Sequence, residues 1–378
     1  MGSSISLGRI AGIQIGINWS WLVVFGLITW SLAENIFPDQ NPGLSHRTYW
    51  EMSIVASLLF FTSLLLHELG HAFEARREGM TIEGITLWLF GGVAKFRGTF
   101  PSAGAEFRIA IAGPLVSLAL GGAFVLAAWQ LALPDAVDGV AAWLGYINLF
   151  LLVFNLLPAL PLDGGRVLRA AIWQIRGSFE QATVIAANVG RGFGILMIAG
   201  GIALVIFQSA VSGIWLAFIG VFLLQAAGAE LRFLVAHEAL GGLRVRDLMV
   251  RDPVSVDPAL TIRGLMDVLA REGQHAAYPV VQSGRAVGLL PLARVAEVPR
   301  SDWETSRVAD YAVPLGRVAV LHADDELIDA LQEVSGAELQ RGLVVEDGDR
   351  LVGLVSIDDL ARAVETGIRR HGIQIRRY

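Results

Sequence analysis

Long apolar runs fill the first part of the chain, and short alternating runs fill the last. Six of the long runs, at about 18–37, 53–74, 107–131, 140–158, 191–208 and 212–229, come close to or exceed the roughly 20 apolar residues that a membrane-spanning helix needs. Two stretches between them break the helical pattern. Residues 80–98 (MTIEGITLWLFGGVAKFRG) alternate apolar and other residues around a Gly91-Gly92 turn, which predicts a β-hairpin. Residues 155–165 (NLLPALPLDGG) hold two prolines and two glycines directly after an apolar run, so the fourth helix must end there. Broken backbone at membrane depth persists only where it is buried in protein or lines a watery cavity. That marks a site.

Composition agrees with the pattern. Of 378 residues, 54% are hydrophobic and 17% charged, against about 25% charged in an ordinary soluble protein, and the mean hydropathy is +0.56. A single water-facing globule cannot hide that much apolar surface. The net charge of −6 argues against a nucleic-acid binder. With no cysteine in the chain, any metal must be held by His, Asp or Glu.

Positive charge orients the spans. Arg9 precedes the first, the second connection carries Arg76, Arg77, Lys95, Arg97 and Arg108, and the fourth carries Arg166, Arg169, Arg176 and Arg191. On the other side the first loop has only Arg47, and the loops near Asp135 and Gln208 have no Lys or Arg. The first 17 residues show neither the basic start nor the cleavage site of a signal peptide. The expectation is a multi-pass protein of the cell membrane with N- and C-termini in the cytoplasm and the hairpin on that same side.

The chemistry begins at His67-Glu68-Leu69-Gly70-His71, inside the second span. On a helix, positions i and i+4 share a face, so His67 and His71 can bite one zinc ion. Glu68 then lies beside the metal, placed to take a proton from water and pass it to a leaving amine. The structural alternative is a helix end whose polar groups snorkel to the surface. Arg76 lies nine residues beyond His67, which puts His67 about 13 Å below that end at 1.5 Å per residue. Snorkelling does not reach so far. A catalytic zinc takes three protein ligands and keeps one position open. His46 falls on the outer loop, and His237, His275, His322 and His371 fall in or near the soluble part. Asp163, after the broken fourth helix, is the acceptable third ligand, with a turn-forming Asp before Gly164-Gly165 as its plainer reading.

HELGH on one span and Asn155-x-x-Pro158-x-x-x-x-Asp163-Gly164-Gly165 on a later one resemble the site-2 protease family of intramembrane zinc metalloproteases. The resemblance covers about 230 residues and includes the Gly91-Gly92 hairpin and Gly113-Pro114 of the third span. It implies one zinc per chain, held by His67, His71 and Asp163, with Glu68 as general base. It further implies cleavage of single-span membrane proteins in or near the bilayer, as in regulated intramembrane proteolysis that releases a membrane-bound regulator or degrades an anti-sigma factor. For Asn155 two readings stay open: its amide bonds substrate backbone or an oxyanion, or it satisfies carbonyls freed by Pro158. The hairpin is equally double: an edge strand that captures unwound substrate, or a brace on the membrane surface.

The tail repeats with a period of about 64 residues. Val245-Arg246-Asp247-Leu248-Met249 answers Val308-Ala309-Asp310-Tyr311-Ala312, and Val287-Gly288-Leu289-Leu290 answers Val352-Gly353-Leu354-Val355. Each copy resembles a cystathionine-β-synthase (CBS) domain, a module that packs in pairs and often binds adenine nucleotides. The family's Ser/Thr-x-x-Asp contact survives as Ser356 and Asp359, whereas the first copy has Pro291 and Arg294. ATP or AMP binding, a homodimer formed through the pair, and a purely structural pair all stay open. The basic end, Arg369-Arg370 and Arg376-Arg377, is either a contact with anionic lipid or a solvated tail.

The fold expected is therefore a polytopic α-helical membrane domain over 1–236, with six transmembrane helices and a cytoplasmic-side β-hairpin. A soluble α/β CBS pair follows over 243–300 and 305–366, then a basic tail over 367–378. Three functions compete: an intramembrane zinc endopeptidase modulated by its CBS pair, a CBS-gated membrane transporter with a structural metal site, and a non-catalytic membrane scaffold. A transporter would show internal repeats among its spans, and none is visible. A scaffold has no use for Glu68.

Overall fold

The chain begins in strand rather than helix for a reason visible in its residues: Ile13, Ile15 and Ile17 are buried while their neighbours along the strand are small or polar. The computed structural model describes residues 4–88, 91–97, 100–272 and 275–370. β1 (Ser4–Ile10) and β2 (Ile13–Asn18) form a hairpin. Asn18 caps α1 (Trp19–Ser31), which continues through a π-helical turn (Leu32–Ile36) into the short α2 (Phe37–Gln40). Then come α3 (His46–Arg77), β3 (Thr81–Trp88), β4 (Gly91–Arg97), α4 (Ala103–Gln130) and α5 (Asp135–Asn155). α6 (Asp163–Arg176), α7 (Phe179–Phe207) and α8 (Ala210–Leu240) complete the helical part.

Six helical segments are long and apolar enough to cross a membrane: Trp19–Gln40, His46–Arg77, Ala103–Gln130, Asp135–Asn155, Phe179–Phe207 and Ala210–Leu240. Each overlaps one of the six runs expected from hydropathy. α6 is not among them. Close helix approach is built from glycine, as membrane packing requires. A Cβ on Gly194 would lie 2.8 Å from the Gly220 carbonyl, and one on Gly213 would lie 2.4 Å from the Gly201 carbonyl, so α7 and α8 touch backbone to backbone.

β1 to β4 form one sheet in that order, with β2 and β3 parallel and the other pairs antiparallel. Its inner face, Ile13, Ile15 and Ile85, packs on Leu69 and Ala72 of α3, and farther along Ile17 and Leu87 pack on Phe61 and Leu64. The expected hairpin is present, but Gly91 and Gly92 do not form its turn. They open β4, where Gly91 pairs with Trp88 and Gly92 with Leu87. Leu89 and Phe90, which join the strands, lie outside the described residues.

The chain divides into two units, Met1–Arg232 and Phe233–Tyr378. In the second, the elements are β5 (Val250–Arg251), α9 (Ile262–Glu272), β6 (Ala277–Gln282), β7 (Arg285–Pro291) and α10 (Leu292–Ala296). The repeat then gives α11 (Val308–Tyr311), β8 (Val313–Pro314), β9 (Ala319–His322), α12 (Leu327–Gly336), β10 (Arg341–Glu346), β11 (Arg350–Ser356) and α13 (Ile357–Arg370). The copies exchange strands. β5 of the first copy pairs with β11 of the second, and β8 of the second pairs with β7 of the first, in equivalent registers (Gly353 opposite Arg251, Gly288 opposite Pro314). Each copy completes the other's sheet, which explains why the repeat comes as a pair. The tail beyond residue 370 lies outside the described residues.

Candidate metal centre

His67 and His71 stand on successive turns of α3 and face α4 and α6. Both are almost fully buried, at 2% and 5% exposure. The Gly between them is explained by the same contact: a Cβ on Gly70 would lie 3.0 Å from the Ala112 carbonyl of α4. Asp163 arrives as the first residue of α6. Residues 156–162 fold back over that first turn, and a Cβ on Gly164 or Gly165 would lie 2.2 Å from the Leu156 carbonyl or the Leu160 nitrogen. The DGG sequence is thus a packing requirement as well as a candidate ligand position. The Leu160–Pro161 bond within the loop is cis.

Three donor atoms converge. His67 Nε2 lies 3.2 Å from Asp163 Oδ2, His71 Nε2 lies 3.3 Å from the same oxygen, and the two Nε2 atoms are 3.2 Å apart. A tetrahedral zinc with bonds of about 2.0–2.1 Å has ligand-to-ligand edges of about 3.3 Å, and the triangle matches. Gly113 of α4 keeps the space open, because a Cβ there would lie 2.2 Å from His71 Nε2 and 2.7 Å from His67 Nε2. Neutral imidazole lone pairs and a carboxylate facing one another repel unless a cation sits among them. The donor set therefore fits zinc: His67, His71 and Asp163 would hold it, with room for a fourth, non-protein ligand.

The surroundings add groups that spacing did not reveal. The carbonyl of Ile109 lies 2.6 Å from His71 Nδ1, and Ser117 Oγ lies 2.9 Å from His67 Nδ1. β4 passes directly over the general-base candidate: a Cβ on Gly92 would lie 2.3 Å from Glu68 Cγ. Arg166, one turn after Asp163, is a charged neighbour of Glu68, and its Nε is buried without a hydrogen-bond partner among the described residues. Farther along α6, buried Arg169 bonds Glu106 of α4 at 2.5 Å and Glu230 of α8 at 3.3 Å, with the Phe179 ring 4.9 Å away. At the end of α3, Arg108 donates to Glu78 at 2.7 Å and holds that carboxyl below its ordinary value. The four-residue spacing of Ile109, Gly113 and Ser117, which sets a small residue on two successive turns of one α4 face, was the available signal for this wall.

Asn155 closes α5 half-buried, eight residues before Asp163, and its amide makes no hydrogen bond among the described residues. Ser356 and Asp359 bond to each other. The Ser356 hydroxyl donates to Asp359 Oδ2 at 2.5 Å; the Ser356 N–H donates to the same oxygen at 3.1 Å and the Asp359 N–H donates back to Ser356 Oγ at 3.3 Å, which is the reciprocal cap of α13.

Comparison with known proteins gives the family. The Peptidase family M50 model matches residues 55–135 and 130–199, and the CBS domain model matches 245–300 and 308–366. A Mycobacterium tuberculosis protein named "Putative zinc metalloprotease Rip3" is 38% identical over 369 residues, covering 97% of this chain and 94% of that protein. The chain belongs to peptidase family M50. Within that family, "Zinc metalloprotease MJ0392" of Methanocaldococcus jannaschii is 30% identical over 364 residues, 96% of this chain and 97% of that protein. The solved site-2 protease of the same organism is 31% identical and covers 61% of this chain and 96% of its own, with a TM-score of 0.44. Membership decides among the three competing functions: this M50 chain is a multi-pass membrane zinc metalloendopeptidase of the site-2 protease type, with a CBS pair, and not a CBS-gated transporter or scaffold.

Proposed function

We propose that this peptidase hydrolyses peptide bonds of single-span membrane proteins at bilayer depth, as in regulated intramembrane proteolysis, with its own termini in the cytoplasm. One observation carries the reading: a sheet edge lies against the residue that handles the proton. β4 is an edge strand, and its first residues cover Glu68, the neighbour of the three donors. A helical substrate must lose its backbone hydrogen bonds before hydrolysis. A free strand edge replaces them, so strand addition on β4 would bring an opened peptide to Glu68.

Zinc, when bound, supplies a Lewis acid that polarises a carbonyl and acidifies water. The chain supplies the rest. His67, His71 and Asp163 hold the metal, Glu68 takes the water's proton and delivers it to the departing amine, and the Asn155 amide, without a partner among the described residues, donates to the substrate carbonyl oxygen as it gains charge. The CBS pair takes no part in the chemistry and modulates access. ATP or AMP contacts at Ser356 and Asp359 require those side chains to leave each other, and nucleotide shifts the pair only by its differential affinity for two states.

The test is cleavage of a single-span substrate in proteoliposomes with metal content measured alongside. Glu68→Gln should keep one zinc per chain and lose about 10²–10⁴-fold in rate. Near wild-type cleavage by this variant would reduce Glu68 to a bystander. A chain ending near residue 236 should keep zinc and cleavage and lose any response to ATP or AMP.

A further inference from the structure

We propose that Ser117 is a positioning residue for the metal centre, its hydroxyl accepting the Nδ1 proton of His67 so that Nε2 presents a bare lone pair. The inference rests on the reading of His67, His71 and Asp163 as zinc ligands, and concerns how one of them is made fit to bind.

The two histidines meet different partners on one face of α4. For His71 the partner is the Ile109 carbonyl at 2.6 Å. A carbonyl only accepts, so His71 Nδ1 must carry a hydrogen, and in the neutral ring Nε2 is then bare. For His67 the partner is the Ser117 hydroxyl at 2.9 Å, which can accept or donate. Were it to donate, His67 Nδ1 would be bare and its proton would sit on Nε2. That hydrogen would point into the space between His71 Nε2 and Asp163 Oδ2, each 3.2 Å from His67 Nε2, where the metal belongs. Ser117 therefore serves as acceptor.

Burial makes this hydrogen bond hard to replace. Ser117 has 0% exposure and His67 has 2%, so no bulk water stands ready to take over the Nδ1 proton. Spacing shows how α4 does both jobs. Ile109, Gly113 and Ser117 lie on successive turns of one helix face. The carbonyl fixes one ring, the missing Cβ leaves room for the ion, and the hydroxyl fixes the other ring. Groups that orient a ligating histidine through its second nitrogen typically contribute 10–100-fold to metal affinity.

The experiment uses the full-length protein in detergent micelles. Zinc affinity is read by competition with a chromophoric chelator, together with the unfolding temperature of the metal-free form and the visible absorption of the cobalt(II)-loaded form. Ser117→Ala should bind zinc about 10–100-fold more weakly and shift the cobalt bands, with a fall in metal-free unfolding temperature too small to account for the lost affinity. Ser117→Thr, which keeps the hydroxyl, should restore most of the affinity. Wild-type affinity in Ser117→Ala overturns the proposal. So does a matching fall in metal-free unfolding temperature, or failure of threonine to rescue, since either makes Ser117 a packing residue. His67→Ala runs beside them. If it too binds zinc like wild type, the ligand reading itself is wrong, whereas loss there with none in Ser117→Ala refutes only the role of Ser117.

Discussion

All twelve of the buried polar side chains among the described residues lie in the membrane unit, from Thr29 on α1 to Thr183 on α7. The CBS unit buries valine, leucine, isoleucine and alanine, and one tyrosine whose hydroxyl accepts from the His275 N–H. The contrast follows from the solvent. Around the membrane unit the surroundings are apolar, so a polar group finds partners only inward, and each one placed there must be satisfied. Around the CBS unit the surroundings are water, charged side chains stay outside, and their ion pairs, such as Arg317 with Glu338, contribute little. A polar residue is therefore informative in one unit and ordinary in the other.

The comparison can be broken most sharply at glycines. Gly113→Ala places a methyl group 2.2 Å from His71 Nε2, and zinc should be lost from the purified protein, an effect beyond the ~100-fold upper range of outer-shell changes. Gly288→Ala in the CBS unit puts its Cβ 2.4 Å from the Val313 carbonyl. It should weaken the exchanged β7–β8 pairing and leave zinc content alone. Gly200→Ala, whose Cβ meets only Leu216 at 3.7 Å, should change neither. Metal analysis and unfolding of the three variants decide whether Gly113 guards the metal space while Gly288 guards only packing.

The same asymmetry governed what could be read from the chain. His67, Glu68, His71 and Asp163 stood out because ionisable groups inside apolar runs demand a reason, and the three donors do meet in space. Ser117 gives no such signal, because a serine in a membrane helix can bond its own backbone and needs no partner elsewhere. Gly-Gly is a turn signal, so the sequence alone puts Gly92 in a turn, and nothing local says that a strand must pass within contact of Glu68. In the tail, the repeat revealed the paired architecture, but exchange of β5 and β8 between copies is a non-local pairing that no window shows.

A smaller effect is expected at the buried ion pair. Arg169 and Glu106 are 4% and 0% exposed, and Arg169→Met would leave Glu106 charged without this partner, while Glu230, also bonded to Arg169, is partly exposed and can turn to solvent. Breaking such a pair from one side typically costs about 3–5 kcal/mol, whereas replacing both partners is often close to neutral. Thermal unfolding in detergent should thus show Arg169→Met destabilised, and Arg169→Met with Glu106→Leu largely restored. If the double variant is as unstable as the single one, the pair does more than satisfy itself, and the rule that buried charge in this unit exists for a site would extend to it.

The smallest effect tests the opposite expectation, that a polar pair in the CBS unit is an ordinary cap. Ser356→Ala removes the hydroxyl that meets Asp359 at the start of α13, a loss of about 1 kcal/mol for an N-cap, seen as faster amide exchange in the first turn of that helix. Acid should reveal the same bond. Burial pushes the Asp359 carboxyl up, but the hydrogen bonds from Ser356 and the Arg362 contact outweigh it and hold the group below its ordinary value of 3.8. A carboxyl lowered by folding adds stability above its unfolded pKa and forfeits it as pH falls through the folded one. In wild type the α13 amides should therefore lose protection as pH drops below 3.8, and Ser356→Ala should flatten that dependence. Should the alanine variant keep both the protection and its pH dependence, the Ser356–Asp359 bond does not cap α13, and the two side chains are free for a ligand.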